Sequence, residues 1–441
     1  MQLVLCKTIE LSKFLYTIFL SVYEAAFKVA AVFNAKARAG IEGRKSQLKT
    51  IHNELAYLKV SPGMPGKVVW MHCASLGEFE QGRPLAEAIR KSYPGYRLVL
   101  TFFSASGYQA MKNYEGADHV LYLPFDGEKN ARELVNTLNP ALVLWVKYEY
   151  WFYYLRELKR RQIPVFLVSG IFRRDQPFFK WYGSLWKEML LCFRHLFLQN
   201  ESSVNLLSTI GITNNVSVTG DTRFDRVIEV AENFIPVKYV DAFCGKFKVI
   251  VAGSTWEDDE AELTHYVKAN PAIRFIIAPH EIDEANLQDV KTEFPNSLFY
   301  SQLVQQKAEG AVYEADPRIN VLIIDNVGML SRLYHYADIT YVGGGFGVEG
   351  VHNVLEAAVY GKPVLFGPEF EKYAEATALV ENGAAIPIAN ALELEKILTE
   401  LWNDDELLKN KGAAARKYVY EHVGASKKIL DFIQENRLLT N

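Results

Sequence analysis

The stretch Lys67-Val-Val-Trp-Met-His-Cys-Ala-Ser-Leu-Gly-Glu-Phe-Glu80 decides the fold. Residues 67–72 form a short, almost unbroken apolar run, the signature of a strand buried on both faces. Small residues and a glycine follow, and a helix takes over near residue 80 and runs to 91. Strand, small-residue loop and helix together make half of a βαβ unit. The same grammar recurs downstream, with strands expected at 97–103, 119–123, 141–146, 164–169 and 195–198 and helices at 106–114, 131–138 and 151–161. A charged, helical stretch containing Pro236 interrupts the pattern. Strands then resume at 248–252, 274–278, 320–324, 339–342 and 363–366. Short apolar runs separated by amphipathic helices imply parallel sheets, so the chain reads as two doubly wound α/β domains. The expected boundaries are an N-terminal segment at 1–45, a first domain at 46–230, a linker at 231–247 and a second domain at 248–441. Ligands of such sheets bind beyond the carboxyl ends of the strands, and two sheets facing a cleft would place a ligand between the domains.

Composition agrees. A chain of 441 residues is too long for one ordinary core. With 13% aromatic and 23% charged residues it is neither disordered nor of low complexity. Cys6, Cys73, Cys192 and Cys244 are scattered without a C-x-x-C pair, which argues against a disulfide scaffold or a structural zinc site. A net charge of −4 disfavours bulk electrostatic binding to nucleic acid. The charge is uneven, however. The first 50 residues hold eight basic and three acidic side chains, and a second basic cluster runs from Arg156 to Lys180. Both are read either as solvated helix faces or as surfaces for anionic lipid or a phosphorylated substrate.

Near the N-terminus, residues 14–23 (FLYTIFLSVY) form an apolar run bounded by Lys13, Glu24 and Lys28. Ten residues fall short of the roughly 20 that a spanning helix needs. The interrupted run also argues against a cleaved signal peptide. The preferred reading is a membrane-associating interfacial helix, and a helix docked on the protein is the other.

Five loops at strand ends carry chemistry. Glu78, in the loop after 67–72, is placed either as a general base or as a carboxylate stabilising a helix N-terminus. Lys147 and Glu149 follow 141–146, where charge at a buried strand end is paired or functional. Arg223, in the 219–225 loop, suits a phosphate or carboxylate. Ser254 or Thr255 is a candidate N-cap at an anion-attracting helix start. The richest loop is Gly343-Gly-Gly-Phe-Gly347 followed by Gly350-Val-His-Asn-Val-Leu-Glu-Ala-Ala358. Glycines let a backbone approach a phosphate closely, and His352 and Asn353 are expected to open a helix with Glu356 one turn on. A capping box accounts for Asn353 and Glu356 without a ligand. The spacing fits neither a P-loop nor G-x-G-x-x-G.

Taken together, H-x-x-S-L-G-E (72–78), T-G-D-T-R-F-D (219–225), G-G-G-F (343–346) and G-x-H-N-x-L-E-A-A (350–358) resemble the 3-deoxy-D-manno-octulosonic acid (Kdo) transferases, and the resemblance covers nearly the whole chain. It implies a GT-B fold of two Rossmann-like domains. The implied reaction is an inverting transfer of Kdo from CMP-Kdo to a lipid A precursor, without a metal or other cofactor, at the cytoplasmic face of the inner membrane. Glu78 falls where that family places its general base. The CMP site would involve His280, the Gly328-Met329-Leu330 turn, Gly345, and His352 to Glu356 (His352, Asn353, Val354, Leu355, Glu356). Arg223 would face the Kdo carboxylate. The chain departs from the family where many members carry Glu-x-Glu-x-Trp-Pro and this one has Lys147-Tyr-Glu149-Tyr-Trp-Phe152, and where Arg223 replaces a lysine. The exchange suggests two groups facing one site. Two other readings remain open: a GT-B transferase using a UDP-sugar and a lipid acceptor, and a catalytically degenerate protein that binds lipid or nucleotide.

Overall fold

The computed structural model describes residues 2–35, 37–44, 47, 67–147, 149–308 and 318–440. The chain divides into two compact units, 1–226 with 424–441, and 227–423. Each is built on a seven-stranded, wholly parallel sheet. The first sheet uses β1 (Val68–Cys73), β2 (Arg97–Phe102), β3 (His119–Tyr122), β4 (Leu142–Val146), β5 (Val165–Gly170), β6 (His195–Leu198) and β7 (Val216–Val218), in the order β3-β2-β1-β4-β5-β6-β7. The second uses β8 (Lys248–Thr255), β9 (Ile273–Pro279), β10 (Ser297–Phe299), β11 (Val321–Ile323), β12 (Ile339–Val342), β13 (Val364–Phe366) and β14 (Ala385–Pro387), in the order β10-β11-β9-β8-β12-β13-β14. In both, the strand order reverses beside the first strand, between β1 and β4 and between β8 and β12. These are the topological switch points where crossovers diverge and leave the strand ends uncovered.

Burial explains why the strands read so clearly. Along β1, Val68 and Trp70 enter the core on one face, where Trp70 meets Trp145 and Tyr154 edge-on. Val69, Met71 and Cys73 enter the core on the other. Both faces are covered by helices, so the run has no polar alternation. In the second unit, Ile250 and Ala252 of β8 pack with Phe275, Ile277, Tyr341 and Leu263.

Three expectations on organisation change. The segment 231–247 is not a bare linker. Phe234 stacks on His335 at 3.9 Å, Val237 receives a hydrogen bond from Tyr336 as it donates its own amide at 2.9 Å, and Phe243 is fully buried beside Arg274. The second unit also ends before 441. The helix Ala425–Glu435 returns to the first unit, where Ile429 and Ile433 are fully buried, and Asp225 accepts from the amides of Gly424 and Ser426, both at 2.6 Å. The carboxylate thus caps the returning helix. The expected boundary at 45/46 lies outside the described residues.

The N-terminal helix is longer than its apolar run suggested, extending over Gln2–Phe33. Its 23 residues from Leu11 to Phe33 are long and apolar enough to cross a membrane by length and composition. One face is docked on the first unit. Tyr16 donates to Asp126 at 2.8 Å, Thr17 shares a hydrogen bond with Tyr153 at 2.7 Å, and Tyr23 and Phe27 pack on Phe125. Asp126 also accepts from the amides of Tyr153 and Tyr154, so the residue that receives the helix caps another, Phe152–Arg160. Beyond the helix, Arg44 is buried against Phe103, Tyr122 and Phe125 and donates to the carbonyls of Leu123, Gly40 and Phe103. The other helix face leaves Phe14, Leu15, Ile18, Phe19 and Val22 exposed.

Ile429→Ala should destabilise the first unit by about 2–4 kcal/mol, the usual range for emptying a buried aliphatic site. Hydrogen-exchange mass spectrometry should show protection falling in 67–226. Loss confined to 248–423 would contradict the return of the last helix.

Candidate active site

At the switch point of the first sheet, the loop after β1 starts the helix Leu76–Ser92. Ser75 is its N-cap, and its side chain accepts from the Glu78 amide at 3.4 Å. Glu78 therefore sits in the first turn, and its Oε2 folds back to accept from the Ala74 amide. The loop after β4 brings Glu149 to the same edge. Its Oε2 lies 3.4 Å from His72 Nε2 and accepts from Trp151 Nε1 at 2.9 Å. Tyr148, within this motif, lies outside the described residues. Burial raises the Glu78 pKa above the ordinary carboxylate value and the nearby charge of Glu149 adds to it, while His72 and the backbone donors oppose the shift. A dipole-stabilised carboxylate in a first turn would instead be held low, so burial and a like charge win over the helix here.

Lys147 occupies a left-handed backbone position, φ +58°, and its charge falls on Asp221. Arg223 also belongs to Asp221, donating from its amide and Nε at 2.9 Å each. Burial pushes the Asp221 carboxyl up, but Arg223 and Lys147 outweigh it and hold the pKa below the usual value. Lys147 and Arg223 thus both act on one carboxylate, Arg223 through an ion pair at 2.8 Å.

In the second unit the candidate residues gather at the ends of β8, β9 and β12. His280 stacks on Trp256 at 4.6 Å and on His352 at 4.5 Å, and Trp256 Nε1 donates to His352 Nε2 at 2.9 Å. Burial and the neighbouring His280 push the His352 pKa down to about 4. The ring is neutral at physiological pH, and with Nε2 accepting, its proton is on Nδ1. Gly328 has φ +88°, and Met329 and Leu330 lead the short helix Leu330–Leu333 back against β8, where a Cβ on Gly253 would lie 2.5 Å from Leu330.

The glycine loop has a packing role of its own. Its glycines serve close backbone packing: a Cβ on Gly343 would lie 2.3 Å from the Ser254 carbonyl, and one on Gly345 2.5 Å from the Gly367 nitrogen. The Gly344 amide donates at 2.8 Å to Asp259, a buried carboxylate that also accepts from Tyr341 at 2.6 Å and from the Trp256 amide at 3.0 Å. The helix expected at His352 is a single turn, Leu355–Ala358, with Val354 and Leu355 fully buried. Asn353 donates to Glu356 at 3.0 Å and accepts from the Leu355 amide at 3.3 Å, so local bonds hold both side chains. The other expected anion site also changes. The helix Glu257–Ala269 is capped by Trp256, and Thr255 donates to Glu260 at 2.7 Å. Four acidic residues fill its first turn, which satisfies the helix dipole internally and repels an anion.

Residues 43–226 match the sequence family described as 3-deoxy-D-manno-octulosonic-acid transferase (kdotransferase). A 3-deoxy-D-manno-octulosonic acid transferase of Bordetella pertussis is 26% identical over 385 residues, covering 83% of this chain and 87% of that protein. The chain thus carries a Kdo transferase domain match over 43–226 and is similar to Kdo transferases over most of its length. A bifunctional glycosyltransferase/methyltransferase of Fusobacterium nucleatum is 27% identical over 407 residues, covering 90% of this chain. The chain spans only 59% of that relative's length. Among solved structures, UDP-GlcNAc 2-epimerase from Neisseria meningitidis superposes with a TM-score of 0.60 at 18% identity, covering 84% of this chain and all of that one. That likeness shows the fold, two doubly wound units of the GT-B type.

Sequence reasoning missed His72, Asp221, Trp256 and Asp259. Trp256 follows a strand directly and carried a positional signal. Asp259 carried none, since it reads as one of four acidic residues opening a helix. The His352 ring should titrate by NMR with a midpoint near 4, and His280→Asn should raise that midpoint by removing the neighbouring charge. A midpoint near the usual 6.5 would contradict the buried stack.

Proposed function

We propose that this chain transfers Kdo from CMP-Kdo to a hydroxyl of a lipid A precursor in lipopolysaccharide synthesis, with Glu78 as general base. Similarity to Kdo transferases over most of the chain supports the reaction class. The observation that carries the catalytic assignment is the raised pKa of a part-buried Glu78 at the β1–β4 switch point, beside Glu149 and His72. A carboxylate whose pKa is raised is a stronger base toward an acceptor hydroxyl than an ordinary glutamate. In the proposed step Glu78 takes the proton of the acceptor hydroxyl. The oxygen forms a bond to the anomeric carbon of Kdo, and the bond from that carbon to the phosphate oxygen breaks, so CMP leaves with the electron pair and configuration inverts.

The donor brings two negative charges to the reaction, the Kdo carboxylate and the CMP phosphate. The expected cation, Arg223, pairs with Asp221, and Lys147 acts on the same carboxylate. We assign the electrostatic role to the trio rather than to Arg223 alone. The Trp256–His280–His352 stack supports a nucleotide site in the second unit, because flat rings and a neutral imidazole suit a base or ribose better than a phosphate. The exposed apolar face of the N-terminal helix, with Lys13 and Lys28 on the same helix, supports attachment to the inner membrane at its cytoplasmic face.

Glu78→Gln should lower kcat about 10²–10⁴-fold, the range for losing a general base, with CMP affinity retained. In the wild type, the acidic limb of the kcat profile should lie above the usual glutamate pKa. Glu149→Gln should move that limb to lower pH, since it removes a charge that raises the Glu78 pKa. Retained activity in Glu78→Gln, or a limb that Glu149→Gln moves upward, would overturn the base assignment.

A further inference from the structure

A cavity of about 590 Å³ lies within the first unit, between the N-terminal helix, the loop after β4 and residues 182–186. Leu15 and Phe19 of the helix line it with Trp151, Leu185 and Trp186, and Glu149 is among the lining groups. Its size is that of a small-molecule site, and its lining is too apolar to hold ordered water well. A peptide would bring backbone donors and acceptors into a space that offers them few partners. A hydrocarbon chain brings none.

Three further observations select the occupant. First, Leu15 and Phe19 belong to the same exposed apolar face as Phe14, Ile18 and Val22, so the cavity is continuous with the surface proposed to meet the bilayer. Second, Glu149 joins the cavity to the proposed catalytic edge, since it faces His72 at 3.4 Å and its charge acts on Glu78. Third, two cations lie beside Phe152, the residue that follows the lining Trp151: Lys13 Nζ and the Arg156 guanidinium approach its ring to 6.0 and 5.8 Å. An apolar slot, flanking cations and a carboxylate pair match an amphiphile with an anionic head, an acyl tail and a reactive hydroxyl.

We propose that this cavity receives one acyl chain of the lipid acceptor, and that seating the chain presents the acceptor hydroxyl to the Glu78–Glu149 edge. The proposal rests on the reading of the acceptor as a lipid. Bound this way, the chain acts as a measure of acylation: an acceptor that lacks it loses its register on the catalytic edge as well as its affinity.

The test is Ser12→Phe with Leu15→Phe, which fills the slot from the helix side. Leu15 is 56% exposed, so the exchange does not disturb a core. The kcat/KM ratio for a tetra-acylated lipid A precursor against its fully deacylated sugar should fall roughly tenfold, the loss expected when about two methylenes leave an apolar site. An unchanged ratio would overturn the proposal, whether both activities fall together or neither does. A second readout does not depend on Kdo transfer. A bromine-substituted stearate should quench tryptophan emission in the wild type, through Trp151 and Trp186, and quench it less in the variant. Equal quenching in both would overturn the cavity assignment. Quenching as expected but no Kdo transfer by the wild type would instead count against the reaction proposed above.

Discussion

Parallel pairing is the constraint on which the rest of the structure depends. Every strand of a parallel sheet needs a crossover to reach its neighbour, so all carboxyl ends lie along one edge and all loops of one kind gather there. Where the strand order reverses, crossovers leave in opposite directions and the edge stays open. In the first unit that opening lies between β1 and β4 and collects Glu78, His72 and Glu149, residues as far apart as 77 positions in the chain. In the second it lies between β8 and β12 and collects Trp256, His280 and His352. The chemistry of each unit is set by which side chains the topology delivers to that opening and by how far each is withdrawn from water.

The two openings use burial differently. In the first, burial and a like charge lift the Glu78 carboxylate above its ordinary value, while a second carboxylate, Asp221, is held below its own by two cations. In the second, burial suppresses charge: His352 is kept neutral, and Asp259 is spent on the glycine loop's own amide. The same crossovers anchor the N-terminal helix. Asp126 accepts from Tyr16 of that helix and from the amides that begin Phe152–Arg160, immediately after the Glu149 loop. The N-terminal helix and the loop carrying Glu149 are thereby tied through one buried carboxylate.

Much of this was legible in the residues. β6 and β12 fall on the expected positions, and most other described strands within one or two residues, because both faces are buried and the apolar runs are unbroken. The strands at 216–218, 297–299 and 385–387 were not read. They are three-residue edge or near-edge strands (VSV, SLF and AIP) with too little apolar content to rise above the loops. The length of the N-terminal helix was hidden by Glu24 and Lys28, which pair at 2.7 Å one turn apart and so cost the helix little. The glycines signalled close approach, and at Gly343, Gly344, Gly345 and Gly350 it is of backbone to backbone. A sequence does not show that the partner is a neighbouring chain segment when it lies beyond another crossover. Likewise, the returning helix at 425–435 could not be assigned to the first unit, because its buried face does not say which core it enters.

The most direct test of the account is the intact mass of the lipid after incubation of the full chain with a tetra-acylated lipid A precursor and freshly made CMP-Kdo, or with a panel of UDP-sugars. The account predicts a mass gain of one or more Kdo units with CMP-Kdo, and no gain with Glu78→Gln. Transfer from a UDP-sugar alone, or measurable CMP binding without any mass gain, would contradict it.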